Sequence, residues 1–136
     1  MSGETETAYE ILGGAAVVRA LAERFYDIMD SNPAYAELRA MHMPDLKAVC
    51  DSFTGFLSVW LGGPRDWLDQ RGSFCLMSRH AGMGITSGTA GQWLDAMREA
   101  MDGLVMDKAL RVKMDNAFTR LAEAMAWTAK TTAGPA

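Results

Sequence analysis

The amino-acid sequence predicts an all-α fold, on three observations. Apolar residues recur at steps of three and four along most of the chain, the four prolines fall at the edges of these periodic stretches, and no alternating apolar and polar run is long enough for a strand. Gly13-Gly14 marks a break before a helix over 15–30, in which Val18, Leu21, Ala22, Phe25, Ile28 and Met29 share one face. Asn32 and Pro33 start a short helical segment through Met41, because Asn caps a helix well and Pro is tolerated at its first position. Met43-Pro44 stops it. From Asp45 onward Leu46, Val49, Cys50, Phe53, Phe56, Leu57 and Trp60 make one continuous stripe, which Gly62-Gly63-Pro64 ends.

Residues 65–91 carry glycines at 72, 82, 84, 88 and 91, so the prediction there is a loop with short helical turns around 66–70 and 75–81. Helicity resumes with Trp93, Met97, Met101 and Leu104. It continues after Asp107, a suitable N-cap, with Leu110, Met114, Ala117, Phe118, Leu121 and Met125.

A chain of 136 residues makes one domain, 1–136, with ends that fray over about 1–7 and 131–136. At 49% hydrophobic and 22% charged residues it is an ordinary globular composition, which excludes a disordered or collagen-like chain. The net charge of −4, with no Lys/Arg cluster, argues against nucleic acid as a partner. No apolar run is long enough to span a membrane, and the first residues are acidic and polar, unlike a signal peptide. Cys50 and Cys75 lack the spacing of a redox or metal pair and read as free thiols in a reducing compartment, so a cytoplasmic protein is expected. Eleven methionines supply flexible, polarizable filler for a core or for a pocket around something large and flat.

Chemistry has few places to sit. His42 and His80 are the only histidines, and neither has a Cys or acidic residue at a recognised metal spacing. There is no Gly-x-Ser-x-Gly elbow and no phosphate loop, and Cys50 lies in an apolar helix face, where a thiol behaves as a small hydrophobe. What remains is an aromatic, methionine-rich helical interior with Tyr26 on one inner face and a histidine in a glycine-flanked loop. A haem pocket asks for this set: one imidazole for iron, apolar side chains about the porphyrin, and a distal hydrogen-bond donor. By residue type alone, such residues are more often a solvated histidine and a core tyrosine with a satisfied hydroxyl.

The order of motifs adds a resemblance. Gly13-Gly14, Arg24-Phe25-Tyr26, Phe56-Leu57, Trp60-Leu61-Gly62-Gly63-Pro64, Gln70-Arg71-Gly72, Ser78-Arg79-His80-Ala81 and Trp93-Leu94-x-x-Met97 together resemble the group II truncated haemoglobins, over about residues 8–128. The resemblance implies a shortened globin fold, a two-over-two helical sandwich around haem b, with a loop before the proximal histidine. It makes His80 the proximal ligand and the metal-binding residue, Tyr26 the distal tyrosine, and Trp93 the indole donor of the distal pocket. Val49 and Phe53 match the distal-helix positions, and Arg79 matches a basic residue within reach of a haem propionate. His42 or Met41 takes the corner position. Phe56, Leu57, Met83 and Met97 complete the implied lining. Two departures touch the proximal loop: Gly72-Ser73-Phe74 stands where relatives commonly read Gly-His-Pro, and Met83 where they carry an aromatic.

The implied function is binding of oxygen and other diatomic ligands at the haem iron. An enzyme of nitric oxide dioxygenation or peroxidase-like type, served by a separate electron-donor reductase, stays open, as does a haem-free helical interaction domain. A homodimer also stays open.

Overall fold

The computed structural model describes residues 6–66 and 85–133, with side chains through 126. Along the chain run α1 (Ala8–Leu12), α2 (Ala15–Ser31), a 3-10 turn (Pro33–Tyr35), α3 (Ala36–Ala40), α4 (Lys47–Trp60), α5 (Ser87–Asp102) and α6 (Lys108–Ala133). No strand occurs among the described residues.

Local chemistry accounts for the boundaries. The short α1, which periodicity does not reveal, rests on a capping box. Thr7 Oγ1 accepts from the Glu10 N–H at 3.1 Å, and Glu10 Oε1 accepts from the Thr7 N–H at 3.0 Å. Asn32 caps the 3-10 turn, its Oδ1 accepting from the Ala34 N–H, as expected of Asn-Pro. The stop after α4 has two separate causes. Gly62 adopts φ +89°, and a side chain on Gly63 would collide with the Tyr9 ring, whose own N–H donates to the Leu61 carbonyl at 2.9 Å. Asp107 Oδ2 accepts from the Leu110 N–H, the predicted cap of α6.

One boundary differs from expectation. The stretch 85–91, read as loop because of Gly88 and Gly91, contains the first turn of α5. Thr86 and Thr89 form a reciprocal capping box there. That satisfies two orphan donors and outweighs glycine costs of about 1 kcal/mol each. The turns expected around 66–70 and 75–81 lie, apart from Asp66, outside the described residues.

The helices stack as two pairs, α2 with α4 and α5 with α6, and α2 also crosses α5. Val18, Leu21, Ala22, Phe25 and Met29 of α2 close on Ala96, Met97, Ala100 and Met101 of α5, and Leu110, Met114 and Phe118 of α6 complete the core. Met29, Met97, Met101 and Met114 are nearly solvent-free, so these methionines serve as packing. Polar ties run around the edge: Arg98 grips Asp115 through two hydrogen bonds, the Gln92 amide oxygen accepts from the Leu38 N–H, and the Tyr35 hydroxyl donates to Glu99. Among the described residues no helix is long and apolar enough to cross a membrane.

Candidate functional site

Tyr26 lies on the inner side of α2, 6% exposed. Three rings surround it edge-on, Phe25 at a centroid distance of 4.9 Å and His42 and Phe53 each at 6.0 Å. Phe25 and Phe53 present apolar surface, and the hydroxyl has no hydrogen-bond partner among the described residues. A buried hydroxyl without a partner forfeits about 1–3 kcal/mol, so native interiors rarely keep one unless something other than the chain satisfies it. Burial also pushes the Tyr26 phenol above its ordinary range. The group is therefore a neutral O–H donor.

Trp93 stands on the first half of α5, half-buried, with its ring 5.8 Å from Phe25, 6.4 Å from Phe53 and 5.6 Å from Phe118. Its indole N–H likewise lacks a partner among the described residues. Phe25 thus sits between the two donors. On α4 the rings continue from Phe53 to Phe56 to Trp60, each pair nearly parallel at 6.3 Å, and Trp60 stacks on Phe118 at 4.9 Å. Val49, Phe53, Phe56 and Trp60 are only half-buried, although they belong to the most regular apolar stripe in the chain. Leu57 and Met97, in contrast, are completely buried in the core.

At the corner after α3 the His42 ring lies against Tyr26, and Met41 closes the helix. His42 Nδ1 is 2.9 Å from the Leu38 carbonyl, which only accepts, so that nitrogen carries the proton and donates. Arg79, His80 and Met83 lie outside the described residues, and so does Cys75. Cys50 is a buried free thiol, pushed above its ordinary range by burial, as a small hydrophobe in a helix face should be. Among the described residues no group of three or more His, Cys, Asp or Glu gathers to hold a metal.

The structure thus brings Tyr26, His42, Phe53 and Trp93 together around one apolar face. Sequence reasoning missed Gln92 and Arg24 as the residues that tie down the helices carrying them. Gln92 fixes the turn before His42 through Leu38, and Arg24 donates from α2 to the Ala100 carbonyl of α5 at 3.0 Å. Arg24 belongs to the quoted Arg24-Phe25-Tyr26 motif without a role assigned to it, and Gln92 stands next to Trp93, which was the only signal.

A family model for bacterial-like globins matches residues 7–127. The group 2 truncated hemoglobin YjbI of Bacillus subtilis is 30% identical over 103 residues, covering 76% of this chain and 75% of that protein. The group II 2-on-2 hemoglobin of Agrobacterium tumefaciens has a similar structure, with TM-score 0.86 and 39% identity over 92% of this chain and 97% of its own. The cold-adapted truncated hemoglobin of Pseudoalteromonas haloplanktis superposes with TM-score 0.85 at 38% identity, covering 88% of this chain and 97% of its own.

Proposed function

This chain belongs to the bacterial-like globins, among the group II truncated haemoglobins, and we propose that it holds one haem b through His80 and binds oxygen there, with Tyr26 and Trp93 as hydrogen-bond donors to the ligand. The coarser function comes with the family, since a globin fold supports haem-based binding of diatomic ligands. When bound, haem supplies an iron that takes the ligand and shifts electron density onto it.

The chain's own residues do the rest. The half-buried rings of Phe53, Phe56, Trp60 and Trp93 suit a flat apolar group and keep water from its face. The observation that carries the reading is the buried Tyr26 hydroxyl with no partner among the described residues, next to a second such donor on Trp93. Two neutral donors in an apolar pocket favour a ligand that has gained negative charge, so oxygen gains more from them than carbon monoxide does. Arg79 belongs to the same reading as the partner of a propionate, and the buried Cys50 thiol suits the reducing cytoplasm.

Absorption spectra of the ferric, ferrous and carbon monoxide forms test this, before and after adding haem, in the natural protein and in His80→Ala. A Soret band that His80→Ala loses is the expected result. A colourless protein after haem addition overturns the reading in favour of a haem-free interaction domain.

A further inference from the structure

Arg24 is the part of the Arg24-Phe25-Tyr26 motif to which the reading above gives no role. Its Nε donates to the Ala100 carbonyl, the one side-chain hydrogen bond between α2 and α5 among the described residues. Ala100 lies in the last turn of α5, where the helix dipole favours a cation; its carbonyl accepts a long bond of 3.3 Å from the Gly103 N–H and has a second lone pair for Arg24. The guanidinium itself lies close against Gly103. A Cβ at that position would collide with Arg24 Nη2 and Cζ. Gly103 itself has φ −83° and ψ −1°, a conformation open to any residue, so its backbone gives no reason for glycine. The guanidinium gives one.

The remaining contacts between these two helices are poor at setting a register. On α5 the fully buried positions are Ala96, Met97, Ala100 and Met101, small or adaptable side chains that allow sliding, and the one ring contact between the two helices among the described residues is that of Trp93 with Phe25. Sliding matters because Phe25, fully buried, is the wedge between the donors, with its ring 4.9 Å from Tyr26 and 5.8 Å from Trp93. Any shift of α2 along α5 moves Tyr26 relative to Trp93 through that ring.

We propose that Arg24 is a positioning residue for ligand binding: laid on Gly103 and bonded to Ala100, it sets the spacing of Tyr26 and Trp93. The effect on ligand release rests on the reading that these two side chains donate to the ligand; the effect on their spacing does not. Two variants break the contact from opposite sides. Arg24→Met keeps the apolar stem and loses the planar donor. Gly103→Ala keeps Arg24 but evicts its guanidinium, while its backbone accepts alanine without strain.

Each variant should speed oxygen release roughly three- to tenfold, carbon monoxide release less, and the double variant should do no more than either alone. In the haem-free protein the Trp93 indole N–H resonance, assigned with Trp93→Phe, should move in the same direction in both. Thermal stability of Gly103→Ala should match the parent. An unmoved indole resonance in both variants overturns the proposal, as do additive effects on oxygen release. Unchanged oxygen release in both variants, with Tyr26→Phe still accelerating it, overturns the link to the ligand. If Tyr26→Phe also leaves oxygen release unchanged, the functional reading is what has failed, and the indole resonance still decides the positioning.

Discussion

On α4, the side chains of Val49, Phe53, Phe56 and Trp60 are half-buried, and only Cys50 and Leu57 are closed off from solvent. In the other layer Ala96, Met97, Ala100 and Met101 of α5 and Leu110, Met114 and Phe118 of α6 are all at most 5% exposed, and Arg98 with Asp115 and Arg111 with Asp102 stitch the rim. Both regions are amphipathic helices with an unbroken apolar stripe. Their difference is what the stripe meets: another helix in one case, and in the other a face that no helix among the described residues covers completely. The α5 and α6 pair is scaffold, and the α4 face is, on the function proposed above, where a flat apolar group docks. Stability and ligand chemistry should therefore respond to different residues.

Truncating an aromatic in each region gives the largest contrast. Phe118→Ala removes a fully buried ring and should cost about 3–5 kcal/mol in the haem-free protein, read from denaturant unfolding. Phe56→Ala removes a half-buried ring and should cost much less there, while lowering the protein's grip on added haem. Equal losses of stability in the two haem-free variants would show that the α4 face is ordinary core.

Tyr26→Phe sharpens the contrast within a single side chain. It removes a hydroxyl without a partner among the described residues, so haem-free stability should hold or rise slightly. Oxygen release should speed up roughly ten- to a hundredfold, the loss of a donor to a partly charged acceptor. Trp93→Phe should act in the same sense, and the pair should not add because the two donors share one ligand. Stopped-flow release rates of the two singles and the double decide this; rates within twofold of the parent in all three would reduce both residues to packing.

A smaller effect concerns pH. A phenol titrating near its ordinary value of about 10 would lose its O–H as that pH is approached, and oxygen release would accelerate. Burial holds the Tyr26 proton beyond that range. Oxygen release should therefore stay level between pH 7 and pH 10, and an acceleration that Tyr26→Phe abolishes would place the hydroxyl in contact with water.

The helices were legible in the sequence because apolar spacing records which face is hidden from water. Val18, Leu21, Ala22, Phe25 and Met29, and Leu110, Met114 and Phe118, came out buried as their periodicity requires, with Ile28 and Ala117 half-buried at the edges of the stripes. Periodicity does not record what does the hiding, so the α4 stripe looks like the α5 stripe until exposure is seen. The start of α5 was misread because glycine costs are visible residue by residue, whereas the Thr86 and Thr89 capping box is a reciprocal pair of side-chain and backbone bonds. Tyr26 and Trp93 were singled out through the order of motifs, and the structure adds that they flank Phe25. At the corner that spacing left between Met41 and His42, the His42 ring lies against Tyr26 and Met41 ends the helix. Arg24 and Gln92 stayed hidden because each acts on a backbone atom of another helix, for which no sequence pattern exists.

The smallest expected effect lies in the rim of the scaffold. Arg98 Nε and Nη2 donate to the two Asp115 carboxylate oxygens at 3.0 and 2.9 Å, and these hydrogen bonds hold Asp115 below the ordinary carboxylate range. A folded-state value below the unfolded one means that the folded protein binds fewer protons. The contribution is therefore complete above the unfolded value near 3.9 and is lost as pH falls through the lower, folded value. Arg98 is 40% and Asp115 26% exposed, so solvent screening limits the pair to about 1 kcal/mol or less. Asp115→Asn should accordingly lower the melting temperature slightly at pH 7, by less at high salt, and the gap to the parent should narrow progressively as pH falls below 4. A gap that does not narrow at all as pH falls below 4 would mean that the substitution acts through packing. Oxygen release should be unmoved, because Asp115 anchors α6 to α5 and touches neither Phe25 nor the two donors. An altered release rate in Asp115→Asn would show that the two regions are mechanically one.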